Sequence, residues 1–316
     1  MQEIPNEVML EDVECPNGCN SEDVFVLSGQ DMLHGLPGLY SIYRCSQCGL
    51  ERTTPRPTAS TIGYYYPDNY APYQNSATSF SNKRSRFKRG VISFLGLNSR
   101  KLPSIPLGRM LEIGCASGAY MEHARQLGWV VDGVEFSKSA AEVARAKGFN
   151  VQNCAVEEMD PPLAPYEIIV AWMVLEHLHR PVEVLQKLRS MIAPSGYLVI
   201  LVPDMHSLSR KIFKGRSYDN HLPAHLFHFS KKSLVHTLEK AGWSITKIFW
   251  QRNANTLLWS FQYWAEDNKN KFLINIAKWM RVSNEAKFLR LALAVTLGFT
   301  RQSGRIEVWA QQSINN

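Results

Sequence analysis

Four cysteines near the start of the chain, Cys15, Cys19, Cys45 and Cys48, stand as one Cys-x3-Cys and one Cys-x2-Cys pair, with Gly49 after the second. Each such pair makes one knuckle, and four thiolates complete a tetrahedron that suits Zn2+. All four positions are then filled by protein, so the site would be structural rather than catalytic. A second constellation begins at Met110, where Met-Leu-Glu-Ile-Gly-Cys-Ala-Ser-Gly runs to Gly118. An apolar strand ends there in an acid, Glu112, and a turn with Gly114 and Gly118 follows. Glycine removes the Cβ that would keep a ligand off the backbone, and the next helix offers unpaired N–H groups. The chemistry is that of holding a nucleotide-like ligand. The spacing lacks the middle glycine of Gly-x-Gly-x-x-Gly, which weakens a nicotinamide or flavin reading.

Two later acids fit the same ligand. Glu135 closes the next apolar run, about where a ribose would present its hydroxyls, and a carboxylate accepts two such bonds well. Val156-Glu157 pairs an apolar wall with an acid, as an adenine requires. Histidines supply the remaining chemistry. His177 lies in Val-Leu-Glu-His-Leu, and His221, His225 and His228 crowd one segment. Those three have no carboxylate at useful sequence spacing, so they are read as substrate contacts or packing residues rather than metal ligands. His177 and His225 are the candidates for a general base.

The elements that must position these groups follow from hydropathy. Strands are expected at 110–113, 129–135, 150–154, 167–172, 197–202, 244–250 and 305–310, with helices at 119–127, 138–147, 181–192 and 230–241. Strands alternating with helices of this length make βαβ units, so the fold class is α/β, a doubly wound and mostly parallel sheet. Residues 1–54 are too few for a core of their own and need the metal. Residues 55–104 form a connector or cap. It opens on Thr54-Pro55-Arg56-Pro57, holds the tyrosine-rich run from Tyr64 to Tyr73, and carries seven basic residues and no acid between Lys83 and Lys101. Residues 105–316 form the main domain, interrupted at about 252–304 by a helical insertion rich in Trp259, Trp264 and Trp279.

The 316-residue chain is 45% hydrophobic with a net charge of +7, a globular composition. Its opening residues lack the basic and apolar regions of a secretory signal, and a cytoplasmic protein is expected. The stretch from Phe288 to Phe299, broken by Arg290, is shorter than the ~20 residues of a membrane span. The insertion could still lie on a membrane surface, form a lid or make a dimer contact.

Taken in order, Leu-Glu-Ile-Gly-Cys-Ala-Ser-Gly, Glu135, the Val-Leu-Glu-His-Leu-x-x-Pro run at 174–181 and Pro-Ser-Gly-Tyr-Leu-Val-Ile-Leu-Val-Pro at 194–203 resemble a class I S-adenosylmethionine (SAM) dependent methyltransferase. The resemblance spans roughly 105–250 and implies a seven-stranded Rossmann-like domain. It implies that Glu112, Gly114, Cys115 and Gly118 hold the methionine part of SAM. Glu135 and Phe136 would then hold the ribose side, Val156 and Glu157 would flank the adenine, and Trp172, at the end of the fourth strand, would also contact the cofactor. Ala116 replaces a glycine common in the family. The cysteine-rich start is similar to a module carried by some sugar and small-molecule methyltransferases. Methyl transfer to a hydroxyl, or to carbon, of a sugar or glycan intermediate is therefore the leading expectation. An RNA methyltransferase using the basic run is the first alternative, although Trp172-Met173-Val174 stands where base-amino methylation uses Asn/Asp-Pro-Pro-aromatic. A non-catalytic zinc-ribbon interaction protein is the second.

Overall fold

Apolar runs of β-branched residues bounded by capped helices leave the chain little choice of layering. In the computed structural model, residues 3–67 and 100–313 are described. The expectations for Tyr70, Tyr73 and the basic residues Lys83 to Arg89 lie outside the described residues.

The main sheet is built from β6 (Arg109–Ile113), β7 (Val130–Val134), β8 (Asn150–Gln152), β9 (Tyr166–Trp172), β10 (Ile192–Pro203), β12 (Trp243–Trp250) and β13 (Arg305–Gln312). Its order is β12-β13-β10-β9-β6-β7-β8, with β13 antiparallel to both neighbours and β6 to β10 mutually parallel. Ile168, Ile169 and Val170 of β9 and Leu198 and Val199 of β10 are wholly buried, as a strand covered on both faces requires.

The crossovers are α1 (Ala119–Gln126), α2 (Lys138–Ala146) and α3 (Pro181–Met191), while α5 (Lys231–Lys240) precedes β12. Their starts are chemically marked. Ser137 caps α2 by accepting from the Ala140 N–H, Pro181 occupies the first turn of α3, and Ser230 and Ser233 cap α5 reciprocally. The seven-stranded α/β architecture matches the sequence reading. The strand end at 150–154 stops earlier, at Gln152.

The N-terminal segment forms β1 (Leu10–Glu11), β2 (Asp23–Gly29), β3 (Tyr40–Cys45), β4 (Glu51–Thr53) and β5 (Arg56–Pro57). Its sheet does not close on itself. The edge of β4 pairs with β11 (Phe227–His228), a two-residue strand lent by the main domain, giving the order β11-β4-β3-β2. Ile42 and Leu50 share one apolar cluster with Leu226, Phe227 and Phe229. Arg210, on α4 (Leu208–Phe213), reaches Glu51 at 2.7 Å in a buried ion pair. The module is thus fused to the main domain through backbone, core and charge.

The insertion is helical as expected: α6 (Asn255–Asp267), α7 (Lys271–Val282) and α8 (Lys287–Phe299). Ser260 of α6 bonds Ser209 at 2.7 Å, tying it to α4. Phe272, Val282, Phe288 and Phe299 are exposed on α7 and α8, Phe299 by 82%. Among the described residues no helix is long and apolar enough to cross a membrane.

Removing one partner of a buried ion pair leaves an uncompensated charge and costs about 3–5 kcal/mol, whereas replacing both can be nearly neutral. Glu51→Ala should therefore lower the urea midpoint strongly, and Glu51→Met with Arg210→Met should recover most of the loss. Equal midpoints for the single and double variants would show that the pair does not hold the two parts together.

Candidate functional site

Between β6 and α1 the backbone makes a turn in which Gly114 (φ 66°), Ala116 (φ 47°) and Gly118 (φ 76°) all adopt the left-handed region. Space and conformation both demand the glycines. A Cβ on Gly114 would lie 2.7 Å from Val174 Cγ2, and one on Gly118 would lie 3.1 Å from Ala144 Cβ. Ala116 carries the strain of a non-glycine residue there, of order 1–2 kcal/mol, and its N–H is held at 2.8 Å by the Glu135 carboxylate. The other Glu135 oxygen accepts from Ser137 N–H at 2.8 Å. Each oxygen keeps a lone pair, so the side chain that shapes the turn still has capacity for two hydroxyls. Burial raises the Glu135 pKa, against the N–H groups of Ser137, Ala116 and Phe136.

Glu112 lies beneath the turn at the end of β6, buried, and one of its oxygens has no hydrogen-bond partner among the described residues. Burial pushes its carboxyl up to about 8, with Arg100 opposing and Glu135 adding to the shift. The Arg100 guanidinium lies over the rings of Tyr120 at 5.3 Å and Trp172 at 5.7 Å. Trp172 is buried at the end of β9, and its indole N–H also lacks a partner among the described residues. Val156 is buried and Glu157 half-buried in the turn after β8. Phe136 is exposed beside Glu135. Cys115 places its sulfur against Gly133 and packs under the turn, so its backbone alone can face a ligand. A left-handed turn that the packing of Val174 and Ala144 restricts to glycine, an acid with one unpartnered oxygen for an ammonium and a carboxylate for two hydroxyls fit the parts of SAM.

The histidines form a cluster of their own. His177 follows β9, and its ring centroid is 4.7 Å from that of His225, which in turn is 4.9 Å from His221. The Nδ1 of His177 lies 2.9 Å from the Ala224 carbonyl and 2.8 Å from the Tyr66 hydroxyl. A carbonyl only accepts, so Nδ1 carries the proton and Nε2 the lone pair. By the same logic His225 donates from Nδ1 to the Asp219 carbonyl at 3.0 Å. Its Nε2 stands 3.9 Å from Glu176, a carboxylate with no exposed surface and no partner on either oxygen among the described residues. This corrects the expectation that the histidines have no accompanying carboxylate: the fold supplies one from a segment far away in sequence. His228 is separated from this group by its partner. Its Nε2 lies 3.0 Å from Thr53 Oγ1, which itself donates to the His225 carbonyl, so His228 is a seam residue. Burial drives the His177 pKa down to about 3 and His225 well below its ordinary value, while burial pushes Glu176 up to about 8. Neutral imidazoles of that kind are weak bases.

The four N-terminal cysteines converge, their sulfurs all within 4.8 Å of one another. Burial pushes the Cys15 thiol up and takes Cys19 to about 11. Cys45 goes the other way: burial is outweighed by the Cys48 N–H, the Ser21 hydroxyl and the Gln47 N–H, which bring it to about 6. Backbone N–H groups aimed at a thiolate are what a metal knuckle needs.

A family model described as a methyltransferase domain matches residues 80–248, more than half of the chain. The chain belongs to the SAM-dependent methyltransferases. The ubiquinone biosynthesis O-methyltransferase of Rhodopseudomonas palustris is 31% identical over 111 residues, 33% of this chain and 43% of that protein. Its counterpart in Shewanella pealeana is 24% identical over 146 residues, 42% and 60% of the two chains. The chain therefore spans less than two thirds of the curated relatives it matches. Among solved structures, the [4+2]-cyclase SpnF has a TM-score of 0.51 at 16% identity, covering 82% of this chain and 98% of that one. A SAM-dependent methyltransferase from Mesorhizobium loti has a TM-score of 0.46 at 13% identity, covering 71% and 97%.

The glycine turn and Glu135 were legible from sequence spacing, whereas the contacts made by Glu176, Tyr66 and Asp219 were not. Glu176 was visible in Val-Leu-Glu-His-Leu, whereas its meeting with His225 was not. Glu112 gives a direct test. Held largely protonated near neutral pH by burial, it should lose its proton when the SAM ammonium arrives. Calorimetry at about pH 7 should then show SAM binding heats that depend on the buffer's own ionisation heat, and Glu112→Gln should abolish the dependence. Buffer-independent heats in the wild type would remove Glu112 from the cofactor site.

Proposed function

We propose that this methyltransferase moves the SAM methyl group to a hydroxyl of a small molecule, with a sugar or glycan intermediate as the favoured acceptor class. One contact carries the reading. Val174 packs on Gly114, so the loop that carries Glu176 and His177 is anchored at the turn expected to hold the methyl donor. His177 is half-buried; its Nδ1 meets the Tyr66 hydroxyl, its Nε2 has no hydrogen bond among the described residues, and its ring lies near that of His221. Such a set of donors and acceptors suits a hydroxylated ligand. The relatives' printed name, O-methyltransferase, agrees with oxygen as the acceptor.

When bound, SAM would supply a sulfonium methyl group to the acceptor oxygen, the C–S electron pair staying on sulfur and the hydroxyl proton passing to solvent. The chain orients the two reactants, which supplies much of the rate. Glu135 and Glu112 would fix the donor, and Tyr66 and His177 would receive the acceptor hydroxyl. Incubation with SAM and two panels, nucleotide-activated sugars and simple phenols, followed by mass spectrometry, should show a 14-dalton gain on an oxygen of one panel, roughly one CH2 added by methylation. Turnover on the sugar panel supports the favoured class. Turnover only on phenols keeps hydroxyl transfer and discards the sugar, and transfer only to RNA would overturn the reading.

The cysteine cluster is proposed to hold one structural Zn2+. Stripping it with a thiol-reactive mercurial and a chelator should release about one zinc per chain and lower the melting temperature, because binding energy at such sites is folding energy. No change in melting temperature would leave the module without a structural metal.

A further inference from the structure

We propose that Glu176, His177 and His225 form a divalent-cation site, distinct from the four cysteines and placed beside the methyl-donor turn. The three residues each offer a ligand atom, and these atoms lie within 4.8 Å of one another. Two ligands each about 2.1 Å from one ion stand roughly 3–4 Å apart. The 3.9 Å between His225 Nε2 and Glu176 Oε1 is too long for a hydrogen bond and suited to two ligands of one ion.

Glu176 makes the case from energetics. Its exposure is 0%, and neither oxygen has a hydrogen-bond partner among the described residues. A buried unsatisfied polar group costs about 1–3 kcal/mol, more when charged. Protonation would neutralise it, but at 3.9 Å His225 Nε2 is beyond hydrogen-bond reach and the second oxygen stays open, whereas a cation satisfies charge and lone pairs together.

The histidines are set as metal-binding imidazoles are set. Each spends Nδ1–H on a backbone carbonyl, Ala224 for His177 and Asp219 for His225, which fixes the tautomer and bares Nε2. The frame around the ligands is tight. Leu226 N–H donates to the Glu176 carbonyl at 2.8 Å, and Thr53 Oγ1 donates to the His225 carbonyl at 2.8 Å. Two imidazoles and one carboxylate select a borderline ion such as Mn2+, Fe2+, Co2+ or Zn2+ over Ca2+. Three protein ligands leave coordination positions open. An acceptor hydroxyl bound there would lose its proton more readily. The binding site stands on the cluster alone, and that role rests on the hydroxyl-transfer reading above.

Mn2+ titrated into the full-length, zinc-replete protein and followed by electron paramagnetic resonance tests the site, since thiolate clusters disfavour this ion. About one Mn2+ per chain should lose its free-ion signal. Glu176→Gln and, separately, His177→Gln should each weaken binding about tenfold to a hundredfold. Retained zinc and an unchanged affinity for SAM would certify that each variant is folded. Should the buried Glu176→Gln fail that check, the half-buried His177→Gln decides the matter. Wild-type protein that leaves the free Mn2+ signal intact, or folded variants that bind as tightly as wild type, would overturn the proposal. Mn2+ binding without methyl transfer to any hydroxyl would keep the site and sink the acceptor reading instead.

Discussion

Two peptide hydrogen bonds join three distant parts of this chain. Thr53 N–H donates to the Leu226 carbonyl at 3.0 Å, and Leu226 N–H donates to the Glu176 carbonyl at 2.8 Å. The first ties the cysteine module to the segment bearing His225, and the second ties that segment to the loop after β9. The carbonyl of His225 is also held from the module, by the Thr53 hydroxyl. A module this small cannot order itself by burial alone, so whatever gathers its four cysteines also bears on the histidine segment at one remove.

Ionisable groups buried near this seam fall into two kinds, and the difference is instructive. Glu51 and Arg210 satisfy one another, and Arg52 pairs with Asp23. Arg56 is divided between Glu11 and the His179 carbonyl. Glu51–Arg210 and the Arg56 contact with His179 join the module to the main domain, whereas Arg52–Asp23 lies within the module. Glu112, Glu176 and the Trp172 indole N–H have atoms without partners among the described residues, and all three lie at or just beyond the C-terminal ends of β6 and β9. A protein that satisfies most of its buried polar atoms leaves some open where a ligand is to complete them. These three lie at the end where open α/β sheets bind ligands, while Arg56 Nη1, Arg189 Nε and His228 Nδ1 are open elsewhere among the described residues.

Much of this was readable before the fold was known. The parallel sheet follows from wholly apolar strands such as Ile168 to Ala171, and the turn from glycines that neither sterics nor φ would allow to be replaced. Glu135 was readable because its distance from the turn is set by one helix and one strand. The strand Phe227–His228 was not, because two residues in a run of Leu, Phe and His carry no period. Without that strand the module looks separable at residue 54, and its role in holding the histidine segment is hidden.

The histidines show where local pattern stops being informative. His221, His225 and His228 share a residue type and lie within one short segment, so spacing treats them alike. Their environments do not. His228 gives its N–H to Thr53 and belongs to the seam, while His221 sits at φ 37° at the end of a short turn. His225 alone is turned so that a backbone carbonyl takes one nitrogen and a carboxylate faces the other. That carboxylate comes from Glu176, across the sheet end, and its position depends on the Leu226 hydrogen bond. Chemistry at this site is therefore a property of the β4–β11 pairing as much as of any motif, and a relative that kept every histidine but lost that pairing would be expected to lose the arrangement.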